Sequence, residues 1–112
     1  MIKNRAIDLA QPDVMYNGGV IRTLQVARVA EAAGMDVTLH SPKNDALAAY
    51  MLHVVSMIKN AGPYQEFRAK PSKGASYYTP NFKVNNGKIG VPKGVGFGVD
   101  YDPDYLSKGE VI

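Results

Sequence analysis

Apolar positions alternate between short runs and helical stripes through the first two thirds of the chain, and this alternation fades after residue 69. Ala6-Ile7-Asp8-Leu9-Ala10 is mostly apolar and is followed by Gln11-Pro12. Proline has no N–H to give a ladder, so the run predicts a buried strand that stops there and leaves Asp13 just past its end. After a loop containing Asn17-Gly18-Gly19, Val20, Leu24, Ala27 and Ala30 recur at spacings of three and four, with Arg22, Arg28 and Glu31 among the remainder. That spacing predicts an amphipathic helix over Val20–Ala33, with Gly34 as a left-handed cap. Met35–Leu39 follows as a second strand ending at His40. Residues 41–45 have loop chemistry with an N-cap at Asn44 or Asp45, and Ala46–Ile58 predicts a helix apolar almost all round, hence largely buried. Asn60-Ala61-Gly62-Pro63 breaks it, and Tyr64-Gln65-Glu66-Phe67 is the candidate third strand. Strand and helix in alternation predict a parallel α/β arrangement.

Beyond Ala69 the pattern predicts different structure. Residues 70–80 are turn-rich, and Asn81–Val84 and Lys88–Val91 flank Asn85-Asn86-Gly87, a hairpin signal because asparagine and glycine tolerate positive φ. The glycine-rich and then acidic stretch from Pro92 to Ile112 is expected to be an extended tail packed on something else. The chain thus divides into an α/β part, 1–69, and a hairpin and tail, 70–112.

Composition narrows the function classes. With 46% hydrophobic and 21% charged residues the 112-residue chain has the make-up of a globular unit, not of a disordered tail. The absence of cysteine removes disulfides and thiolate metal sites and favours the cytoplasm as location. Asp8 and Gln11 interrupt any apolar core behind the basic start, so no targeting segment is expected; the uncharged stretch Ala46–Ile58 is too short to span a bilayer. The net charge of +3 comes from scattered residues without interleaved aromatics, which argues against a nucleic-acid partner.

Candidate chemistry lies on the strand ends. Asp13, His40 and Glu66 each follow a predicted parallel strand, the position where catalytic groups gather in such sheets and barrels. A carboxylate beside an imidazole would fix its tautomer and suit it to acid–base work near neutral pH. Residues of these types after strands also serve as helix caps and solvated loop residues, so spacing alone leaves both readings open. His53, inside the apolar helix, is expected to make a single hydrogen bond. Gly18-Gly19 fits either an anion-binding helix start or, more simply, a tight turn. Gly94-x-Gly96-x-Gly98 is a weak nucleotide motif, since no helix pattern follows it.

The run QPDVMYNGGVIRTLQVARVAEAAGMDVTLH resembles the sixth strand, following helix and seventh strand of enolase-superfamily barrels. In that family an acidic residue stands five positions before a Gly-Gly pair, with a histidine on the next strand. Asp13 and His40 match, and an aspartate at the first position, where muconate-lactonizing relatives have lysine, points to the mandelate racemase subgroup. GPYQEF is similar to the eighth-strand segment bearing a glutamate, here Glu66, and NNGKIGVPKGVGFGVDYD to the closing pattern, with Val95 in place of the usual proline and Phe97 in place of leucine.

The resemblance implies the last three strands or so of a TIM-like (β/α)7β barrel. It also implies removal of the proton next to a carboxylate, with Mg²⁺ stabilising the enediolate. His40 would be the acid or base, Asp13 its orienting partner, and Glu66 a hydrogen-bond donor or acid at the substrate carboxylate. An acid-sugar dehydratase is the favoured activity; a racemase or epimerase, and a non-catalytic module, are the alternatives. A whole barrel needs on the order of 250 residues, and the family's metal ligands belong to earlier strands, so none is assigned here. The chain is expected to associate with the rest of the barrel or with copies of itself.

Overall fold

The structure is a computed structural model describing residues 1–41, 46–68, 77–80 and 82–109. Its nucleus is a β–α–β unit: β1 (Leu9–Ala10), α1 (Gly19–Ala32) and β2 (Asp36–Val37), with the strands parallel and Leu9 opposite Asp36, Ala10 opposite Val37. The pairing outlasts the strands. Thr38 N–H donates to Ala10 O at 3.0 Å and His40 N–H to Pro12 O at 3.0 Å, and Asp13 and His40 form a further parallel bridge. Pro12 is tolerated because the ladder uses its carbonyl and not the N–H it lacks.

The helix forms where its apolar spacing predicted. Ala27, Ala30 and Thr23 are its buried face, and the Thr23 hydroxyl bonds back to Gly19 O at 2.9 Å. It ends in the double bond of a Schellman turn: Gly34 N–H donates to Glu31 O and Met35 N–H to Ala30 O, both at 2.9 Å, with Gly34 at φ 68°. This turn aims the chain straight back along β2. The second helix, α2 (Leu47–Ser56), buries Ala48, Ala49, Met51, Leu52 and Val54. Ala10, Val14, Val37, Leu39 and Ile58 complete a core between the strands and the two helices. The expected caps Asn44 and Asp45 lie outside the described residues.

Three expectations need correction. Tyr64–Phe67 is not a third strand. Backbone pairing with β2 comes earlier, where Val37 N–H donates to Asn60 O at 2.9 Å and Gly62 N–H to Val37 O at 2.8 Å. The chain then leaves the ladder and the Gln65 side chain takes over: its Oε1 accepts from Leu39 N–H at 3.0 Å and its Nε2 donates to Val37 O and Gly62 O. An amide side chain offers the same donor and acceptor as a peptide, so it can stand in for a strand. Gln65→Ala strips the buried Leu39 N–H of its partner and is expected to lower stability by about 1–3 kcal/mol, read as a lower urea midpoint; an unchanged midpoint would contradict this role.

The hairpin is shorter than expected, reduced among the described residues to one antiparallel bridge between Asn85 and Lys88 around Asn86 and Gly87, which sit at φ 49° and 72°. Nor is the tail simply extended. Its β4 (Asp100–Tyr101) pairs antiparallel with β3 (Tyr78–Thr79), and Asp102 caps a short helix, α3 (Pro103–Leu106), by accepting from Asp104 N–H at 2.9 Å. No helix among the described residues is long and apolar enough to cross a membrane.

Candidate active site

The bridge that continues β1 and β2 sets Asp13 and His40 side by side at the same strand ends. Asp13 Oδ2 lies 2.7 Å from His40 Nδ1. The other oxygen, Oδ1, accepts from the backbone N–H groups of Met15 at 2.7 Å and Tyr16 at 3.0 Å. The carboxylate is therefore held from two directions: the turn after β1 fixes one oxygen, which points the other at the imidazole. Its side chain is 14% exposed and that of His40 42%.

Burial pushes the Asp13 carboxyl up, but the hydrogen bond with His40, the Tyr16 and Met15 N–H groups and the charge of His40 outweigh it, holding the group below the ordinary aspartate value. An ionised Asp13 only accepts, so His40 Nδ1 is the donor of the pair and a neutral ring carries its lone pair on Nε2. Because the folded carboxyl is depressed, its stabilisation is complete above the unfolded aspartate pKa and is lost as pH falls through the folded value. The stability gap between the native chain and Asp13→Ala should thus hold near neutrality and shrink below about pH 4. A gap unchanged by acid, measured by denaturation at several pH values, would contradict the ionised pair.

Glu66 reaches the same rim. Its Oε2 accepts from Ser41 N–H at 2.9 Å and Gln11 Nε2 at 3.3 Å, which anchors it to the residue after His40 and to the end of β1. Among the described residues no hydrogen bond ties it to Asp13 or to the His40 ring. The structure thus gathers Asp13, His40 and Glu66 at one end of the strands, with the first two in contact. Gln11 and Ser41 were not singled out from sequence; a backbone donor has no residue signature, and a glutamine before a proline reads only as a strand end.

The two remaining candidates have simpler roles. His53 is a half-buried helix residue whose Nε2 lies 3.1 Å from Phe97 O. Gly18 and Gly19 take φ 91° and 84° in a tight turn, and Gly19 N–H is already bonded to Val14 O at 3.0 Å. A Cβ at Gly18 would come 2.7 Å from Arg22 Cδ, so the turn itself accounts for glycine there. Among the described residues no three His, Asp or Glu side chains converge as a metal site, and the donor set here does not fit a resident magnesium ion.

A cavity of about 200 Å³ opens over the pair, walled by Asp13, His40, Ser41, Met15, Leu47 and Tyr50. It sets the His40 imidazole in the wall of a mostly apolar space, where an imidazole oriented by a carboxylate is chemically suited to acid–base work.

Known proteins resemble the chain in sequence and in fold. The pattern of the family described as enolase C-terminal domain-like matches residues 1–105. The chain is 31% identical over 102 residues to a D-galactonate dehydratase from Ralstonia pickettii, a match covering 86% of this chain and 27% of that protein. The structure of a candidate racemase from Roseobacter denitrificans superposes with a TM-score of 0.86 at 32% identity, over 98% of this chain and 31% of that one. An enolase of the mandelate racemase subgroup from Agrobacterium tumefaciens follows at 0.79 and 25%, over 95% and 29%. Magnesium is bound in two further solved neighbours. The chain spans between a fifth and a third of the length of these relatives. It belongs to the enolase C-terminal domain-like family.

Proposed function

We propose that this chain forms the acid–base wall of an enolase-type active site that removes the proton next to a carboxylate, most favourably in an acid-sugar dehydratase. The observation that carries the reading is the 2.7 Å contact between Asp13 and His40 on adjacent strand ends. His40 Nε2 takes or returns the proton, Asp13 keeps Nδ1 protonated and the ring in place, and Glu66 holds the substrate's carboxylate end. In this reading residues 1–69 bring β1, β2 and the segment 60–62 paired with β2 to a barrel, and 70–112 are its closing tail. The magnesium expected in the complete enzyme takes its ligands from outside this chain. The dehydratase relative supports this choice of reaction, and the racemase-like neighbour supports the same proton transfer with return to the opposite face instead of loss of water. Incubating the enzyme that carries this segment with sugar acids in D₂O distinguishes them: deuterium at the carbon next to the carboxylate without loss of water would favour racemisation.

The chain's surface points to association as well. Ile21 and Val29 share a face of α1 and are 75% and 58% exposed, and β1 has no described partner but β2. An open strand edge next to an apolar helix face favours pairing. By itself the 112-residue chain is expected to self-associate at micromolar concentration in sedimentation; a monomer with a cooperative thermal transition would contradict the barrel-segment reading.

A further inference from the structure

The Glu66 carboxyl is tied to both of the strand ends that bear the Asp13–His40 pair, and it is tied through a single oxygen. Oε2 accepts from Ser41 N–H, directly after His40, at 2.9 Å and from Gln11 Nε2, two residues before Asp13, at 3.3 Å. The backbone behind it is held by the residue before. Gln65 Oε1 accepts from Leu39 N–H at 3.0 Å, and Gln65 Nε2 donates to Val37 O at 3.2 Å and to Gly62 O at 2.9 Å. Glu66 therefore starts from a fixed main chain, and its carboxyl meets one donor from β2's extension and one from the end of β1. The Ser41 donor belongs to the main chain and is present whatever residue stands there. The Gln11 donor depends on that side chain, and the Asp13–His40 contact makes no use of it.

Two donors on one oxygen divide the work of the carboxyl. An oxygen that accepts from two N–H groups has both lone pairs engaged, and a proton placed on it would displace one of those donors. A proton carried by Glu66 therefore rests on Oε1. A substrate carboxylate is held by a donor, so the oxygen that meets it is the one bearing this proton. The amide of Gln11 suits the task because it is neutral and donates to the carboxylate and to the carboxylic acid alike. We propose that Gln11 is a positioning residue for Glu66: with the Ser41 N–H it fixes Oε2, so that Oε1 is the atom offered to the carboxylate end of the bound acid. This rests on the reading that Glu66 holds that end, and it assigns the two carboxyl oxygens different tasks. Gln11 acts on the reaction only through Glu66.

The test is a double-mutant cycle in the complete enzyme, with kcat and KM read for the sugar acid it turns over fastest. Gln11→Met keeps the length of the side chain without its donor. It should lower kcat/KM at least about tenfold, the loss that one hydrogen bond to an ionisable group entails, and the loss should fall mainly on kcat, because negative charge builds on the substrate's carboxylate oxygens as the neighbouring proton leaves. In a Glu66→Gln enzyme the same change should do almost nothing further, since the group it acts through is gone. The ¹³C resonance of the Glu66 carboxyl in the full chain follows the contact without any substrate, and it should move in Gln11→Met and stay in place in His53→Asn. A loss that adds in full to that of Glu66→Gln, or an unmoved carboxyl resonance, would overturn the proposal. The two readings fail separately. Loss of activity in Glu66→Gln together with native kinetics in Gln11→Met removes only the role of Gln11, whereas full activity of Glu66→Gln, or no turnover of any sugar acid by the native enzyme, removes the reading on which it rests.

Discussion

Asp13→Asn is expected to lower turnover of the complete enzyme by about 10⁴-fold, the size seen where the same change puts a catalytic histidine in the wrong tautomer. The structure gives the reason. Asparagine can keep its oxygen on the Met15 and Tyr16 N–H groups, as Asp13 Oδ1 does now, and this turns its NH₂ toward His40. Facing a donor, His40 Nδ1 must accept, and the ring proton moves to Nε2. A neutral imidazole in that tautomer cannot take a proton at the exposed nitrogen. The fold should survive, because the turn after β1 retains both backbone bonds. Circular dichroism and the urea midpoint would verify that, and substantial turnover by a folded Asp13→Asn enzyme would refute the orienting role.

His40→Asn should cost about 10²–10⁴-fold in turnover, the range that a positioned acid or base contributes. The loss should fall on kcat more than on KM, since the side chain acts on a proton in flight and not on the bound acid as a whole. Exchange of the substrate's proton with solvent should fall in parallel, and unimpaired exchange in this variant would assign the proton to another group. His53→Asn provides the internal comparison. That ring touches Phe97 and not the Asp13–His40 pair, so its removal should leave proton exchange largely intact.

How much of this could be read from the residues depended on how local the cause was. The α1 helix was legible because its core face repeats every three or four residues and Gly34 supplies its left-handed stop. The Asp13–His40 approach was legible because each lies just past a run that forms a strand, and parallel neighbours end side by side. The third strand was misread for a physical reason: the Gln65 side chain completes the ladder in place of backbone, and a side chain substituting for a peptide leaves no periodic trace. The pairing of Tyr78–Thr79 with Asp100–Tyr101 joins segments far apart in sequence, with no tight turn between them to announce it. Phe97 against Tyr50 and His53 is likewise a contact between the tail and the middle of the chain, created by the fold. Val95 and Phe97 stood out as departures from a family pattern, but only the structure shows that Phe97 forms a cavity wall.

The measurement that bears most directly on the account is the ¹⁵N chemical shifts of the two His40 ring nitrogens in the full chain, just above neutral pH, compared with those in Asp13→Asn. The account predicts a protonated, pyrrole-type Nδ1 and a bare, pyridine-type Nε2 in the native chain, exchanged in the variant. A native His40 with its proton on Nε2, or two tautomers in rapid balance unaffected by Asp13→Asn, would contradict it.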